Sequence, residues 1–334
     1  MHVFRKLVAV SAAAVVAMAS GVTVAQANLT PSVYNTPGGQ FSAGRLWNTD
    51  CEKYSSNVVR CRTNIWATQI SYVKGKFVSK TGWVFNNLSY LPSPRAAWAG
   101  NNLARNNDNW NSGGRKWRTE CDTATTGRGG CRSYVWSKRI SAVKAGSGYR
   151  YVNKQEWVFN NLVMFSSPTL PPVLAVPPHI LDQSRLSFTG LGPLQRGTKM
   201  SDLKTLGYLD YPSECGNDYN ETAVLQSRGI DVWHLNTPKA TDVMVSKPGI
   251  KTVDGAEVGM TYAAVKALYG NAMVKEVKND LPGGDVPVPA AVVKSGGSEL
   301  VFLFDYDAAS IKDTDIITVI VARKISKDLY YDGC

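Results

Sequence analysis

The chain has 334 residues, with 37 Lys and Arg against 26 Asp and Glu and a formal net charge of +11. Apolar residues make up 44% and charged residues 19%, a balance that excludes an intrinsically disordered chain and, at this length, predicts two packed domains. Residues 28–165 carry 19 Lys and Arg against 6 Asp and Glu, whereas residues 166–334 carry 16 against 20, and eight of the nine Trp lie in the first half.

At the N-terminus, Arg5 and Lys6 precede an apolar stretch from Leu7 to Val24 and the small-x-small end Ala25-Gln26-Ala27. This pattern predicts a secretory signal over residues 1–27 and a mature chain that is extracellular or held non-covalently at the cell wall, without a transmembrane anchor. Six Cys fit an oxidising compartment. They allow 15 connectivities. The repeat described next selects one of these: Cys51–Cys61, Cys121–Cys131 and, as the remaining pair, Cys215–Cys334. Nine-residue gaps without nearby His do not match zinc spacing, so no metal is expected.

Residues 28–165 contain a duplication. Gly44-Arg45-x-Trp47-x-Thr49-Asp50-Cys51 recurs as Gly114-Arg115-x-Trp117-x-Thr119-Glu120-Cys121, and Cys61-Arg62 returns as Cys131-Arg132. Ile70-Ser71-x-Val73-Lys74 recurs as Ile140-Ser141-x-Val143-Lys144. Twelve of 31 ungapped positions match from Gly44 onward, where chance gives about two. Each copy closes on Trp-Val-Phe-Asn-Asn-Leu, at Trp83–Leu88 and Trp157–Leu162, after a four-residue insertion in the second copy. The repeats span about 44–88 and 114–162. Their β-branched and aromatic runs predict an all-β tandem domain of two three-strand units, each with its first two strands clipped by a disulfide.

Most of the repeated Trp are expected to be core. The surplus charge is not explained by a core, so Arg45, Arg62 and Lys74 with Arg115, Arg132 and Lys144 are candidate polyanion-binding residues. Trp98 and Trp110 lie in the connector, outside the repeated pattern, and are candidate exposed contact residues beside them. Outside a cell the polyanions such a surface attracts include wall polymers, anionic lipid surfaces and released nucleic acid; the expected ligand is an anionic cell-envelope polymer, and nucleic acid fits only as a non-specific polyanion.

Residues 166–178 hold Pro168, Pro171, Pro172, Pro177 and Pro178 and read as a stiff linker. Beyond it, Gly197-x5-Leu203-Lys204-Thr205-Leu206 matches Gly259-x5-Val265-Lys266-Ala267-Leu268. Each Gly leads into a short helix, with Met260, Val265 and Leu268 at helical spacing and Thr198 or Thr261 as cap. Strands follow over 230–235 and 241–246, then 290–294, 299–305 and 316–323. Residues 179–334 are therefore expected to be α+β, with two helix-then-antiparallel-strand units.

The pattern Gly192-Pro193-Leu194-x-x-Gly197 and Gly255-x-x-x-Gly259-Met260-Thr261, each entering a helix before strands, resembles the tandem units of secreted β-lactamase-inhibitor proteins and the small outer-membrane assembly lipoproteins that share their unit. The resemblance implies an aromatic-lined sheet face that binds a protein partner, with Trp233, His234 and Tyr306 as candidates. The long Cys215–Cys334 pair departs from an arrangement with one bridge per unit. The basic Trp repeats resemble modules of secreted proteins of high-GC Gram-positive bacteria.

Past the signal only His179 and His234 remain, and no Gly-x-Ser-x-Gly elbow exists. Ser71-x-x-Lys74 and Lys80-Thr81-Gly82 are too close together for a penicillin-recognising site. Asp305, Asp307, Asp313 and Asp315 lack the glycine and terminal Glu of a calcium loop. No nucleophile, base and oxyanion site assembles, so no enzyme and no cofactor are expected. The expected function is secreted, non-catalytic binding, the basic repeats holding an anionic polymer and the α+β part contacting a protein. The alternative is an inhibitor of a secreted hydrolase with the repeats structural.

Overall fold

The structure, a computed structural model, describes residues 29–212, 219–234, 237–279, 287–304 and 311–329. The predicted signal, the Cys215–Cys334 pair, Asp305, Asp307 and the candidate Tyr306 lie outside these residues.

One eight-stranded sheet holds both repeats. β1 (Gly38–Ser42), β2 (Arg45–Ser55), β3 (Val58–Val73) and β4 (Lys76–Ser93) form an antiparallel meander, as do β5 (Asn107–Ser112), β6 (Arg115–Cys121), β7 (Gly130–Ala145) and β8 (Gly148–Phe165). Each repeat thus has four strands rather than the expected three. The additional strands, β1 and β5, arise from Gly- and Asn-rich segments whose strand propensity is weak, and they form because a neighbouring edge is available. Disulfides Cys51–Cys61 and Cys121–Cys131 clip β2 to β3 and β6 to β7 as directly opposed pairs.

The shared hexapeptide builds a β-bulge. Thr63 faces Asn87 while Asn64 faces Phe85, and Ser133 faces Asn161 while Tyr134 faces Phe159. Asn86 and Asn160 are the extra residues. Beneath the bulges the small hydroxyls Thr49 and Thr63, and Thr119 and Ser133, are buried and bonded to each other at 3.1 and 2.9 Å.

The meanders join through β4 and β8, which run parallel, giving the order β1-β2-β3-β4-β8-β7-β6-β5. Leu88 pairs with Asn161 and Ser89 with Leu162. Paired residues share a face, so the equivalent Leu88 and Leu162 point to opposite sides. Equivalent residues of the two repeats therefore decorate opposite faces of one sheet.

Residues 166–178 pack along this sheet instead of spanning free space. Val173 is buried with Val59, Cys61 and Leu91, and its N–H donates to the Pro92 carbonyl at 2.7 Å.

The remaining chain begins with α1 (Ile180–Gln183) and a small sheet of β9 (Leu186–Ser187), β10 (Gly190–Leu191) and β11 (Leu194–Gln195). It continues through α2 (Met200–Thr205), the pair β12 (Leu209–Pro212) and β13 (Tyr219–Glu221), and α3 (Ala223–Gln226). A six-stranded antiparallel sheet is built from β14 (Ile230–Trp233) and β15 (Asp242–Val245) and, after α4 (Tyr262–Tyr269), from β16 (Met273–Asn279), β17 (Pro287–Ser295), β18 (Ser298–Leu303) and β19 (Val319–Lys324). Its order is β14-β15-β19-β18-β17-β16. Thr261 caps α4, accepting from the Ala264 N–H, and the helix buries Tyr262 and Val265 while Leu268 is exposed. Thr198 does not cap α2; Lys199 occupies that position and makes no side-chain bond there.

On one face of this sheet, Leu300, Phe302, Phe304, Ile320 and Ala322 pack under the helices. The other face curls over Ala290, Val292, Val301, Leu303 and Val321. It is stitched shut where Asn279 donates to the Lys327 carbonyl at 2.9 Å and accepts from the Leu329 N–H at 2.7 Å.

The N-terminal sheet and the C-terminal part share packing. Leu46 on β2 joins the core that contains Leu203, Leu206 and Tyr208, and Trp83 packs against it. Gly39 is required here, because a Cβ would meet the Leu206 carbonyl oxygen at 2.7 Å. The buried Tyr208 hydroxyl donates to the Gly39 carbonyl at 2.6 Å.

His179 caps α1 at this junction, its Nδ1 accepting from the Leu181 N–H at 3.2 Å. Burial, with the Arg228 charge nearby, pushes this imidazole below its usual 6.5. The Arg228 hydrogen bonds hold the neighbouring Asp182 below its usual 3.8. Both groups therefore take up protons more readily in the unfolded chain. The stability they contribute is complete above pH 6.5 and is lost as pH falls, His179 first and Asp182 below 3.8. The melting temperature should drop on acidification from about pH 7 to 5, and His179→Asn should flatten that slope; an unchanged slope would remove His179 from the junction's pH response.

Candidate functional site

The meander ladders are far longer than the core beneath them. In β3 the last fully buried residue is Thr63, and in β7 it is Val135. Ten further residues to each strand end carry two hairpin arms roughly 30 Å outward at about 3.3 Å per residue. Because β4 and β8 are parallel, both arms leave the same end of the sheet.

Arm one turns through Lys74 and Gly75, whose φ values of 48° and 80° match the primed two-residue turns that suit strand twist. Arm two turns through Gly146 and Ser147, between the paired Ala145 and Gly148. Both arms start at a cross-strand Trp pair, Trp66–Trp83 and Trp136–Trp157, with ring centroids 5.4 and 5.2 Å apart. The four-residue insertion therefore keeps the register and lengthens arm two by two residues per strand. As a result Lys74 sits in a turn while Lys144 lies on a strand opposite Tyr149, so the two are not structural equivalents.

The arms concentrate charge. Between Ile65 and Trp83 the sequence holds Lys74, Lys76 and Lys80 and no acid; between Val135 and Trp157 it holds Lys138, Arg139, Lys144, Arg150 and Lys154 against Glu156 alone. Glu156 lies 3.2 Å from Arg139 and 3.6 Å from Lys154. All eight cations are exposed.

The other candidate cations are placed differently. Arg45 and Arg115 are exposed at the starts of β2 and β6, beside the arm roots. Arg62 and Arg132 lie over aromatic rings of the hexapeptide, with guanidinium carbons 4.7 Å from the Phe85 centroid and 5.4 Å from that of Phe159. Each faces an acid across the ladder, Asp50 or Glu120. Since they occupy opposite faces of the sheet, they cannot form one continuous patch. Arg118 makes a further stack in the second repeat, 4.9 Å from Tyr134 and 5.3 Å from Trp157.

The connector tryptophans are corrections. Trp98 is 5% exposed, packed edge-on to Tyr90 at 5.0 Å, with its indole N–H donating to Ser93 Oγ at 2.9 Å. It is core because the connector folds a short 3₁₀ turn back onto the sheet. Trp110 is half-buried on β5, stacked on Trp117 at 5.3 Å and donating to Thr119 Oγ1 at 3.2 Å. In the repeats, Trp47 is buried and Trp66 is exposed.

Sequence reasoning missed the arm tips, where Tyr72, Phe77, Tyr149 and Tyr151 are exposed. The available signal was strand length: 16 to 18 residues per strand is more than a small unit can bury.

In the C-terminal part, Trp233 and His234 are half-buried at the end of β14, the outermost strand of the six-stranded sheet, and His234 lies 6.1 Å from the Tyr219 ring. A cleft of about 360 Å³ lies between the N-terminal sheet and the C-terminal part, where Gln40 and Phe41 face Ile180, Pro193 and Gln195. Among the described residues, no group of three His, Cys, Asp or Glu side chains is placed to hold a metal, and no helix is long and apolar enough to cross a membrane. No protein-family model, curated protein or solved structure matches the chain.

Proposed function

We propose that this is a secreted, non-catalytic binding protein that holds an anionic polymer of the cell envelope along its two β-arms, while its C-terminal part contacts a protein. The observation that carries the reading is the eight exposed cations on two free arms against a single, already paired acid. Such a surface attracts polyanions and releases them as salt rises. Arg62 and Arg132, each over an aromatic ring, add one guanidinium to each face of the sheet near the arm roots, and the ring contacts lower the ordering entropy lost on binding. In the C-terminal part, Trp233 and His234 at the outer strand are the proposed protein contact, the α+β part there being read as two helix-and-strand units.

The test is retention of the full chain on purified cell walls, with and without their anionic polymers, across a salt series. Retention should require the polymer and fade with salt. Replacing Lys138, Arg139, Lys144 and Arg150 together by Ser should weaken it at least tenfold at low salt, with the melting temperature unchanged because all four side chains are exposed. Retention that persists on polymer-stripped walls would remove this reading.

A further inference from the structure

The arm tips carry chemistry that a hydrophilic polymer does not use. Tyr72 is 55% exposed, Val73 50%, Val78 48% and Tyr149 74%. Tyr72 packs on Phe77 at 4.9 Å, and Phe77 packs on Tyr151 of the other arm at 5.2 Å, so these three rings form one aromatic cluster that joins the arms near their tips, with Tyr149 two residues from Tyr151 on the same side. Lys144 lies opposite Tyr149 on the same side as Tyr151, Lys74 sits in the turn two residues past Tyr72, and Lys76 and Arg150 alternate onto the other side, all four exposed. A joined apolar cluster projecting beyond the end of a sheet marks an interaction surface.

We propose that the paired tips dock into the headgroup–acyl boundary of an anionic lipid bilayer. Tyr is amphipathic, so its ring suits this boundary while its hydroxyl stays with water and headgroups. The exposed Lys and Arg on both sides of the tips supply the complementary charge for anionic headgroups. A second copy of this chain would bring like-charged tips together, and a soluble polyanion would leave Val73, Val78 and the Tyr149 ring in water. The geometry also limits the depth. A two-stranded hairpin leaves outward-facing backbone groups unpaired, so the tips rest at the interface and do not enter the hydrocarbon. The inference shares with the polymer reading only the premise that the arms are the binding element.

The test is flotation of the full chain with vesicles of phosphatidylcholine alone and of phosphatidylcholine mixed with phosphatidylglycerol, in the absence of any polymer. Binding is expected only to the mixed vesicles. Tyr72→Ser with Tyr149→Ser should weaken it at least tenfold, and Lys74→Ser or Lys144→Ser about fivefold each. All four side chains are exposed, and an unchanged melting temperature checks each variant's fold. Wall retention is measured on the same samples. Polymer retention without vesicle binding overturns the lipid inference alone, and failure of both overturns both readings. Vesicle binding indifferent to the two tyrosines also overturns it. Self-association in sedimentation without vesicle binding would assign the tips to a second copy and overturn it as well.

Discussion

Lys278→Met is expected to destabilise the protein by about 3–5 kcal/mol, because it strands a carboxylate in the interior. Lys278 is 2% exposed and Glu299 fully buried. The ammonium donates to Glu299 Oε1 and Oε2 at 3.1 and 3.0 Å and to the Ser326 carbonyl at 2.8 Å, and it lies 3.1 Å from Glu276 Oε2. Without it, Glu299 keeps, among the described residues, the Ser326 N–H at 3.3 Å and Arg323 at 3.7 Å, and Arg323 is already engaged with Asp242 at 3.4 Å. Methionine fills much of the volume, so the loss reports charge rather than a cavity. Replacing both partners, Lys278→Met with Glu299→Leu, should recover most of the deficit, since a buried pair exchanged for apolar groups is close to neutral. Urea denaturation at pH 7 gives both numbers. A loss below about 1 kcal/mol for the single variant would mean that water reaches the pair, as at an exposed one.

The same pair shows where sequence reasoning stops. Lys278, Lys294, Glu299 and Arg323 all lie on one face of their strands, beside Val292, Val301 and Val321. In the sequence this mixture reads as a solvated side. The face is enclosed because residues 326–329 return to the end of β16, a contact between segments some 49 residues apart that no local pattern encodes.

The opposite holds for the duplication. Cys51, Cys61, Cys121 and Cys131 recur at one spacing, and the ladder sets each pair directly opposite, so their bridges were legible. What was not legible is how the copies meet. Parallel pairing of β4 with β8 sends equivalent side chains to opposite faces, so Arg62 and Arg132 do not share a face, a relation that the repeat pattern itself does not encode. Strand propensity indicates β structure here but not the arms' freedom from the core, because exposure of Tyr72 or Tyr149 depends on what fails to pack against them.

Trp98→Ala is the second substitution expected to cost several kcal/mol, about 3–5 for truncating a buried large aromatic. Its ring fills the space where the two repeats meet, in a cluster with Val58 and Tyr90 from the first, Cys121, Cys131, Val163 and Phe165 from the second, and Ala104 between them. Truncation opens a cavity against the Cys121–Cys131 bridge and leaves Ser93 Oγ, itself buried, without its indole donor. Trp98→Phe should cost less, because it keeps most of the packing and forfeits the hydrogen bond. Trp110→Ala provides the contrast. That ring is half-buried and lies on Trp117 near the outer edge of the sheet, so the expected loss is about 1–2 kcal/mol. Measured together, stability and wall retention separate core from contact. A Trp98→Ala protein, at temperatures where it is folded, should retain polymer like the parent. Normal stability with lost retention would return Trp98 to the surface and contradict its place in the seam.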